Sequence, residues 1–448
     1  MGGYLAYAEY KESGMEWLGE IPSHWDAAKI RFYYNAQLGT MLQPQADSPI
    51  DKEIDYLKAF HVQWEGVITD DLPKMWTSPK DKTKYAVRNG DLLICEGGEV
   101  GRTALLDNLK SECIIQNALH RVRGTDRASV EFLNYLMRHI AKSGWFDILC
   151  SKATIAHLTS EKLRALGFPV PPIAEQRSIA RFLDYKTAQI DALITKKETL
   201  LKKLAEKRTA LISQAVTKGC DRAVPMKDSG IEWLGEIPAH WELVRMRRRW
   251  KVIDCKHKTV EFIDEGFPIA SIGEVRDHKF NLEQAKRASL DDYLDLIDGR
   301  KPEKNDLIYS RNATVGCVGF VDEDIDFCLG QDVCLIKTFT ENNRFLWWQL
   351  QSISVTDQLQ SIFVGATFKR INVADIKAYL VCCPPVDEQQ NIAQYLDEKT
   401  KVIDQQKVQI EEVIAKLKEY RTALITNAVT GKIDVRDVIL EPEPVEAV

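Results

Sequence analysis

No stretch of this chain is apolar over the ~20 residues that a membrane-spanning helix needs. The N-terminal segment MGGYLAYAEYKESG lacks the apolar core of a signal peptide. A cytoplasmic protein is therefore expected. Its ten cysteines are scattered, and the nearest two, Cys382 and Cys383, are adjacent rather than spaced as CxxC. They read as buried thiols in a reducing compartment, and no metal site is expected. There is no Gly-x-Gly-x-x-Gly run. Gly97 to Thr103 departs from a phosphate-binding loop, with Arg102 in place of lysine and Glu96 where glycine is required. No Ser/His/Asp or Cys/His constellation stands out, so no catalytic residue is assigned. A net charge of −6 does not advertise nucleic-acid binding, but binding depends on a local basic face rather than on the sum.

What the chain does have is repetition. Residues 171–219, PPIAEQRSIARFLDYKTAQIDALITKKETLLKKLAEKRTALISQAVTKG, recur without a gap at 384–432, offset by 213 positions. A second repeat lies ahead of each copy. Residues 10–25, ending EWLGEIPSHW, return at 226–241 as EWLGEIPAHW, offset by 216. Trp17, Trp25, Trp233 and Trp241 in these signatures are read as core or docking anchors.

The repeat at 171–219 and 384–432 has helical rhythm. Leu183, Ile190, Ile194, Leu201, Leu204 and Leu211 recur in steps of three, four and seven. So do Leu396, Ile403, Ile410, Ile414, Leu417 and Leu424. That spacing keeps one narrow stripe on one face, the seam of a coiled coil. A helix of this length, roughly 65 Å at about 1.5 Å per residue, cannot bury its stripe alone. The other copy is the nearest partner, and the charges suit: ten Lys/Arg against five Asp/Glu in the first, seven against eight in the second. Asp184-Tyr-Lys186 and Asp397-Glu-Lys399 resemble the tail of a nuclease motif. Inside helices, residues two apart do not face each other, so they read as solvated charges.

Between each signature and its helix lies a more divergent block on a shared skeleton. Gly90–Thr103 and Asn305–Val318 each read as a buried strand, a Gly/Asn turn and a second strand, at offset 215, which Gln116 and Gln331 also keep. Ala153–Leu158 matches Ala366–Ile371 at offset 213, and a short helix and an apolar strand then lead to Pro-Pro. The domain expectation is thus block one at 1–170, a long helix at 171–219, block two at 220–383 and a second helix at 384–432. Residues 433–448, with five acidic residues, one arginine and two prolines, are expected to be a disordered tail. The fold class is α/β (α+β): two pseudo-two-fold-related domains separated by an antiparallel coiled coil.

The signature EWLGEIPxHW, the PPxxEQ opening and the RTALI…AVTGKIDVRD ending resemble the specificity subunit of type I restriction-modification systems, over essentially the whole chain. The resemblance implies that each block is a target-recognition domain reading one half of a bipartite duplex DNA target. It implies that the helices set the distance between half-sites and dock two modification subunits. Those subunits methylate adenine with S-adenosylmethionine, and restriction subunits using ATP and Mg2+ cleave DNA in host defence. This chain would then hold no cofactor and not itself be an enzyme, and it has no Asn-Pro-Pro-aromatic run such as adenine methylases carry.

Base readers and phosphate contacts are expected on two loops per block. The strand turn offers Arg102 and Thr103 in the first block and Arg311, Asn312 and Thr314 in the second. The segment ahead of the final short helix offers Lys152, Thr154 and His157, then Thr367, Lys369 and Arg370. Arg121 and Arg123 form another positive edge. Arg245, Arg247, Arg248 and Arg249, interleaved with Met246 and Trp250, are either a phosphate clamp or an element edge that meets an acidic partner. A different class stays open: a two-headed protein–protein scaffold. Salt-dependent duplex binding that survives competitor separates the two.

Overall fold

Two proline pairs, Pro171-Pro172 and Pro384-Pro385, stop the strands before them and admit the long helices after them. Proline cannot extend a ladder, yet its fixed φ suits a first helical turn. In the computed structural model, which describes residues 4–150, 157–363 and 370–440, those helices run Ile173–Lys218 and Val386–Val429. Gly219 and Gly431 end them with φ of 75° and 72°, a left-handed conformation that favours glycine.

The chain folds as two compact units, Met1–Lys196 with Val413–Val448, and Lys197–Glu412. Each unit therefore takes part of both helices with its globular block. Unit 1 holds the start of the first helix and the end of the second, and unit 2 holds the converse. Inside each unit the two segments are antiparallel. The Asp191 carboxylate meets Arg421 at 2.9 Å in unit 1, and Asp404 meets Arg208 at 3.3 Å in unit 2. All twelve stripe residues are covered. Leu183, Ile190, Ile194, Leu204, Leu396, Ile403, Ile414 and Leu424 are buried, and Leu201, Leu211, Ile410 and Leu417 are half-buried.

In unit 1, Thr103–Leu105, Leu92–Cys95, Leu119–Gly124 and Tyr34–Leu38 form an antiparallel sheet in that order. A mixed sheet follows the order Lys74–Thr77, Lys52–Leu57, Cys113–Ile115 and Ala86–Val87, with 52–57 and 113–115 parallel. Leu93, Cys95, Leu119 and Ile115 bury between them. The helix Val130–Lys142 is capped by Ser129, whose side chain accepts from the Phe132 N–H. Its apolar face is buried, while His139 and Lys142 reach the second long helix at Thr426 (3.0 Å) and Thr422 (3.0 Å).

Unit 2 repeats this plan. Its antiparallel sheet has the order Lys251–Asp254, Val333–Lys337, Leu307–Ser310 and Val318–Phe320. Phe267–Ala270 pairs in parallel with Cys328–Leu329 and antiparallel with Arg287–Ala288. The expected strand–turn–strand is present in both units, as are the short helix and apolar strand ahead of Pro-Pro, at Ser160–Ala165 and Gly167–Val170 and at Val373–Ala378 and Leu380–Cys383. Those last strands pair with Asp26–Lys29 and Glu242–Arg245, just after the signatures.

The signatures and the PPxxEQ openings hold each other. Each signature folds as a small hairpin, Tyr10–Glu12 with Glu20–Pro22 and Met226–Asp228 with Glu236–Pro238. Trp25 and Trp241 are fully buried, whereas Trp17 is half-buried and Trp233 is exposed. Glu175 accepts from Trp25 Nε1 at 3.0 Å and from the Tyr7 hydroxyl at 2.6 Å, with His24 Nε2 at 2.9 Å. Glu388 meets His240 Nε2 at 2.8 Å in unit 2. The adjacent glutamines staple the helix starts. Gln176 accepts from the Ser129 N–H at 2.9 Å, and Gln389 accepts from the Asn342 N–H at 2.9 Å.

Two expectations are corrected. The tail does not begin as disordered chain at 433: Val435 is buried, and the Asp434 N–H donates to the Leu5 carbonyl at 2.7 Å. An apolar residue inside an acidic segment found a groove that composition does not register. Asp184 and Asp397 are not merely solvated. The Tyr135 hydroxyl donates to Asp184 at 2.7 Å, and Trp348 Nε1 donates to Asp397 at 3.0 Å, so each carboxylate ties its block to its helix.

Candidate nucleic-acid interface

In each block the described end of the second segment meets the strand turn. In unit 1 the Leu158 N–H donates to the Glu96 carbonyl at 2.7 Å, joining the segment after residue 156 to the glycine-rich turn. In unit 2 the Ile371 N–H donates to the Arg311 carbonyl at 3.0 Å, the same link in the repeat. Asn312 and Arg370 also form an antiparallel bridge. A tight turn and a neighbouring segment thus share one edge of each antiparallel sheet.

Five residues expected on the DNA-reading loops or the positive edge are instead held within the fold. Thr103 is fully buried, and its hydroxyl donates to the Leu93 carbonyl at 3.0 Å across the strand pair. Arg102 is only 16% exposed. It donates to Glu99 at 3.0 Å and to the Ala59 carbonyl at 2.9 Å. Arg121 is buried, donating to the carbonyls of Lys84 (3.1 Å) and Ala86, and Arg123 is held by Asp91. Arg311 is buried between Asp254 and the Ile371 carbonyl. Carbonyls and carboxylates hold these guanidiniums in the fold, although the Nε atoms of Arg102 and Arg121 are buried without a partner. The carbonyl partners of Arg102, Arg121 and Arg311 lie 35 to 60 residues away in sequence, so spacing alone gives no sign of them.

The remaining candidates sit nearer the surface. Asn312 is half-buried and donates to Asp332 at 3.2 Å. Arg370, 49% exposed, pairs with the other oxygen of Asp332 at 2.9 Å. Thr314 is half-buried, its hydroxyl 2.8 Å from Ser310 Oγ. His157 is exposed and faces Gly97, where a Cβ would stand 3.1 Å from its Nδ1. Burial raises the pKa of Glu96, and the charge of His157 opposes the shift. Lys152, Thr154, Thr367 and Lys369 lie outside the described residues.

The arginine run divides. Met246 and Trp250 are buried anchors, and Arg249 pairs with Glu242 at 2.8 Å and Glu341 at 3.5 Å. Arg245, Arg247 and Arg248 are exposed on and beside a 3-10 turn. Arg249 is thus engaged by acidic residues of its own unit, and the other three arginines keep exposed cations. The corresponding turn of unit 1 exposes Lys29 and Arg31, a positive edge that the sequence reading passed over because its cations are not consecutive.

Three residues fall within metal-ligand distance of one another: Asp254, Cys255 and His257. Their atoms are already engaged. Asp254 pairs with Arg311, the imidazole stands between Cys255 Sγ at 3.8 Å and Asp254 at 3.4 Å, and burial raises the Cys255 thiol pKa. A raised thiol is a poor source of the thiolate that a metal needs.

Comparison with known proteins gives a consistent result. The family described as type I restriction modification DNA specificity domain matches residues 75–203 and 254–416. The chain is 24% identical over 457 residues, 95% of its length and 98% of the relative's, to a provisionally named type I restriction enzyme MjaX specificity subunit of Methanocaldococcus jannaschii. Among solved structures, a chain from work on complex assembly and conformational transition of the type I R-M system aligns with a TM-score of 0.70 at 16% identity, covering 92% of this chain and 99% of that one. The HsdS subunit from Thermoanaerobacter tengcongensis aligns at 0.54 and 16%, covering 92% and 98%. These likenesses are of fold.

Proposed function

Since the chain belongs to the type I restriction-modification DNA specificity family, we propose that it is the sequence-reading subunit of such a system and that each unit reads one half of a bipartite duplex target. The observation that carries this reading is a contrast within the chain. The signatures keep 12 of 16 residues and the long helices 24 of 49, while the loops beside the strand turns carry different side chains: His157 beside Gly97 in one unit, Asn312 and Arg370 around Asp332 in the other. Constant supports with divergent edges suit two readers of different sequence.

In this proposal the long helices set the spacer and dock two modification subunits. The exposed apolar residues Leu193, Leu200, Val402 and Val408 on the helices are available for such docking. S-adenosylmethionine, ATP and Mg2+ belong to the modification and restriction subunits, and this chain contributes no catalytic group. It acts in the cytoplasm, and among the described residues no helix is long and apolar enough to cross a membrane.

The test is to map methylated adenines in the host genome with the gene present and deleted. A bipartite motif that vanishes on deletion is the expected result. Exchanging residues 26–168 for those of a relative should then change one half-site and leave the other. If no motif depends on the gene, while the isolated blocks capture two different proteins, the scaffold reading replaces this one.

A further inference from the structure

Each unit has a hollow where its short helix, a turn of its block and its long helices meet. The two hollows occupy related places: Arg138 and Arg421 line the first, and their counterparts at the offset of 213, Gln351 and Arg208, line the second. In the second hollow, about 990 Å3, Arg344 pairs with Asp397 at 2.8 Å and Arg208 with Asp404 at 3.3 Å, and Lys279 and Lys401 also line it.

The first hollow is smaller, about 220 Å3. Its lining includes Arg138, Lys142 and Arg421, against the single carboxylate of Glu65. Arg421 is paired with Asp191 at 2.9 Å. Arg138 and Lys142 have no carboxylate within ion-pair distance among the described residues. Arg138 donates to the Trp64 carbonyl, and its Nε is buried without a partner. Lys142 Nζ donates to the Thr422 hydroxyl at 3.0 Å. Where unit 1 has these two cations, unit 2 has neutral Gln351 and Val355. This pair of cations is therefore specific to unit 1 and is not demanded by the shared scaffold.

Like charges gathered against low-dielectric walls repel one another unless an anion joins them. Burial lowers the pKa of both Arg138 and Lys142, and the charge of Arg421 adds to each shift. The neighbouring His139, its pKa lowered to about 4 mainly by burial, supplies no further charge at neutral pH. The volume is below the roughly 300–1,000 Å3 of sites for drug-sized ligands, which points to a small group rather than a whole nucleotide.

We propose that this hollow is an oxyanion site, in which Arg138 and Lys142 together grip the oxygens of one phosphate group. Guanidinium and ammonium donors converging on phosphate give short charge-assisted bonds. The phosphate comes either from free phosphate or a phosphate ester in solution, or from the backbone of bound DNA. The site does not depend on the base-reading proposal, because its first test contains no DNA.

That test is thermal unfolding of the full chain in phosphate and in chloride at equal ionic strength. Wild type is expected to gain Tm in phosphate, and the gain in R138Q/K142V should fall at least about twofold. Both substitutions install the residue that the other unit tolerates at the same place. Should the double variant fold poorly, K142V alone alters only an exposed side chain and carries the same expectation. An equal gain in variant and wild type, or no gain in wild type, overturns the site. A second arm assigns the source. If the salt dependence of duplex binding by the assembled complex becomes shallower in the variant by roughly 0.9 per lost contact, the phosphate is DNA's. An unchanged slope alongside the lost phosphate gain assigns free phosphate or a small phosphate ester.

Discussion

The indole N–H of Trp25 donates to the Glu175 carboxylate at 3.0 Å, joining the end of the first signature to the first turn of the first long helix. Glu175 also receives the Tyr7 hydroxyl at 2.6 Å and faces His24 Nε2 at 2.9 Å, all from within a buried site. A carboxylate near a helix N-terminus is favoured by the helix dipole as well. Glu388, its repeat, meets His240 and is more open, with 30% of its side chain exposed.

That asymmetry gives the first prediction. Glu175→Ala strands several buried donors and should cost about 3 kcal/mol in unfolding free energy. Glu388→Ala should cost under about 1 kcal/mol. Urea midpoints of the two variants measure the difference, and equal losses would contradict the assignment of Glu175 as the tighter clasp.

Arg311 and Arg370 should separate stability from binding. Arg311→Ala removes the ion pair to Asp254 and the donor to the Ile371 carbonyl, and is expected to lower stability by about 3 kcal/mol. Arg370→Ala, at a half-exposed pair, should change stability by less than about 1 kcal/mol yet weaken duplex binding. Thermal unfolding and a salt-titrated binding assay, run on both variants, decide this.

Acid should destabilise the chain through two histidines. Burial, helped by nearby cations, lowers the pKa of His139 and of His278 to about 4 from the ordinary 6.5. Below pH 6.5 the unfolded chain takes protons that the folded chain refuses, so the stabilisation present above 6.5 is lost as pH falls toward 4. Each residue should contribute about 1–2 kcal/mol to that loss, allowing for partial exposure. His139→Gln and His278→Gln should each flatten the fall in urea midpoint between pH 7 and pH 4.5. An unchanged pH profile would mean that these rings are already solvated.

Along the long helices the seam should outweigh the ion pairs. Leu183→Ala, at a fully buried position, is expected to cost about 2–5 kcal/mol. The coupling energy between Asp191 and Arg421, from a double-mutant cycle, should stay below about 1 kcal/mol because the pair is partly solvated. Inserting matched residues near Lys196–Lys203 and in 407–416 should lengthen the spacer of the methylated motif and leave both half-sites unchanged. Altered half-site bases at constant spacing would refute the helices as spacers.

By itself the sequence determined the repeats, the two long helices with their buried stripes, and the strand–turn–strand skeleton of each block. Those features are periodic or punctuated locally: steps of three and four, Pro-Pro ahead, glycine behind. Only the tertiary structure decided which polar residues are free to act. Arg102, Thr103, Arg121 and Arg311 looked like readers, yet distant carbonyls and carboxylates already hold them; Asp184 and Asp397 looked idle, yet an aromatic hydroxyl and an indole donate to them. Helical periodicity is written within a few residues of chain. The partner of a charge or hydroxyl is whatever the fold brings within about 3 Å, and those partners are most often remote along the sequence.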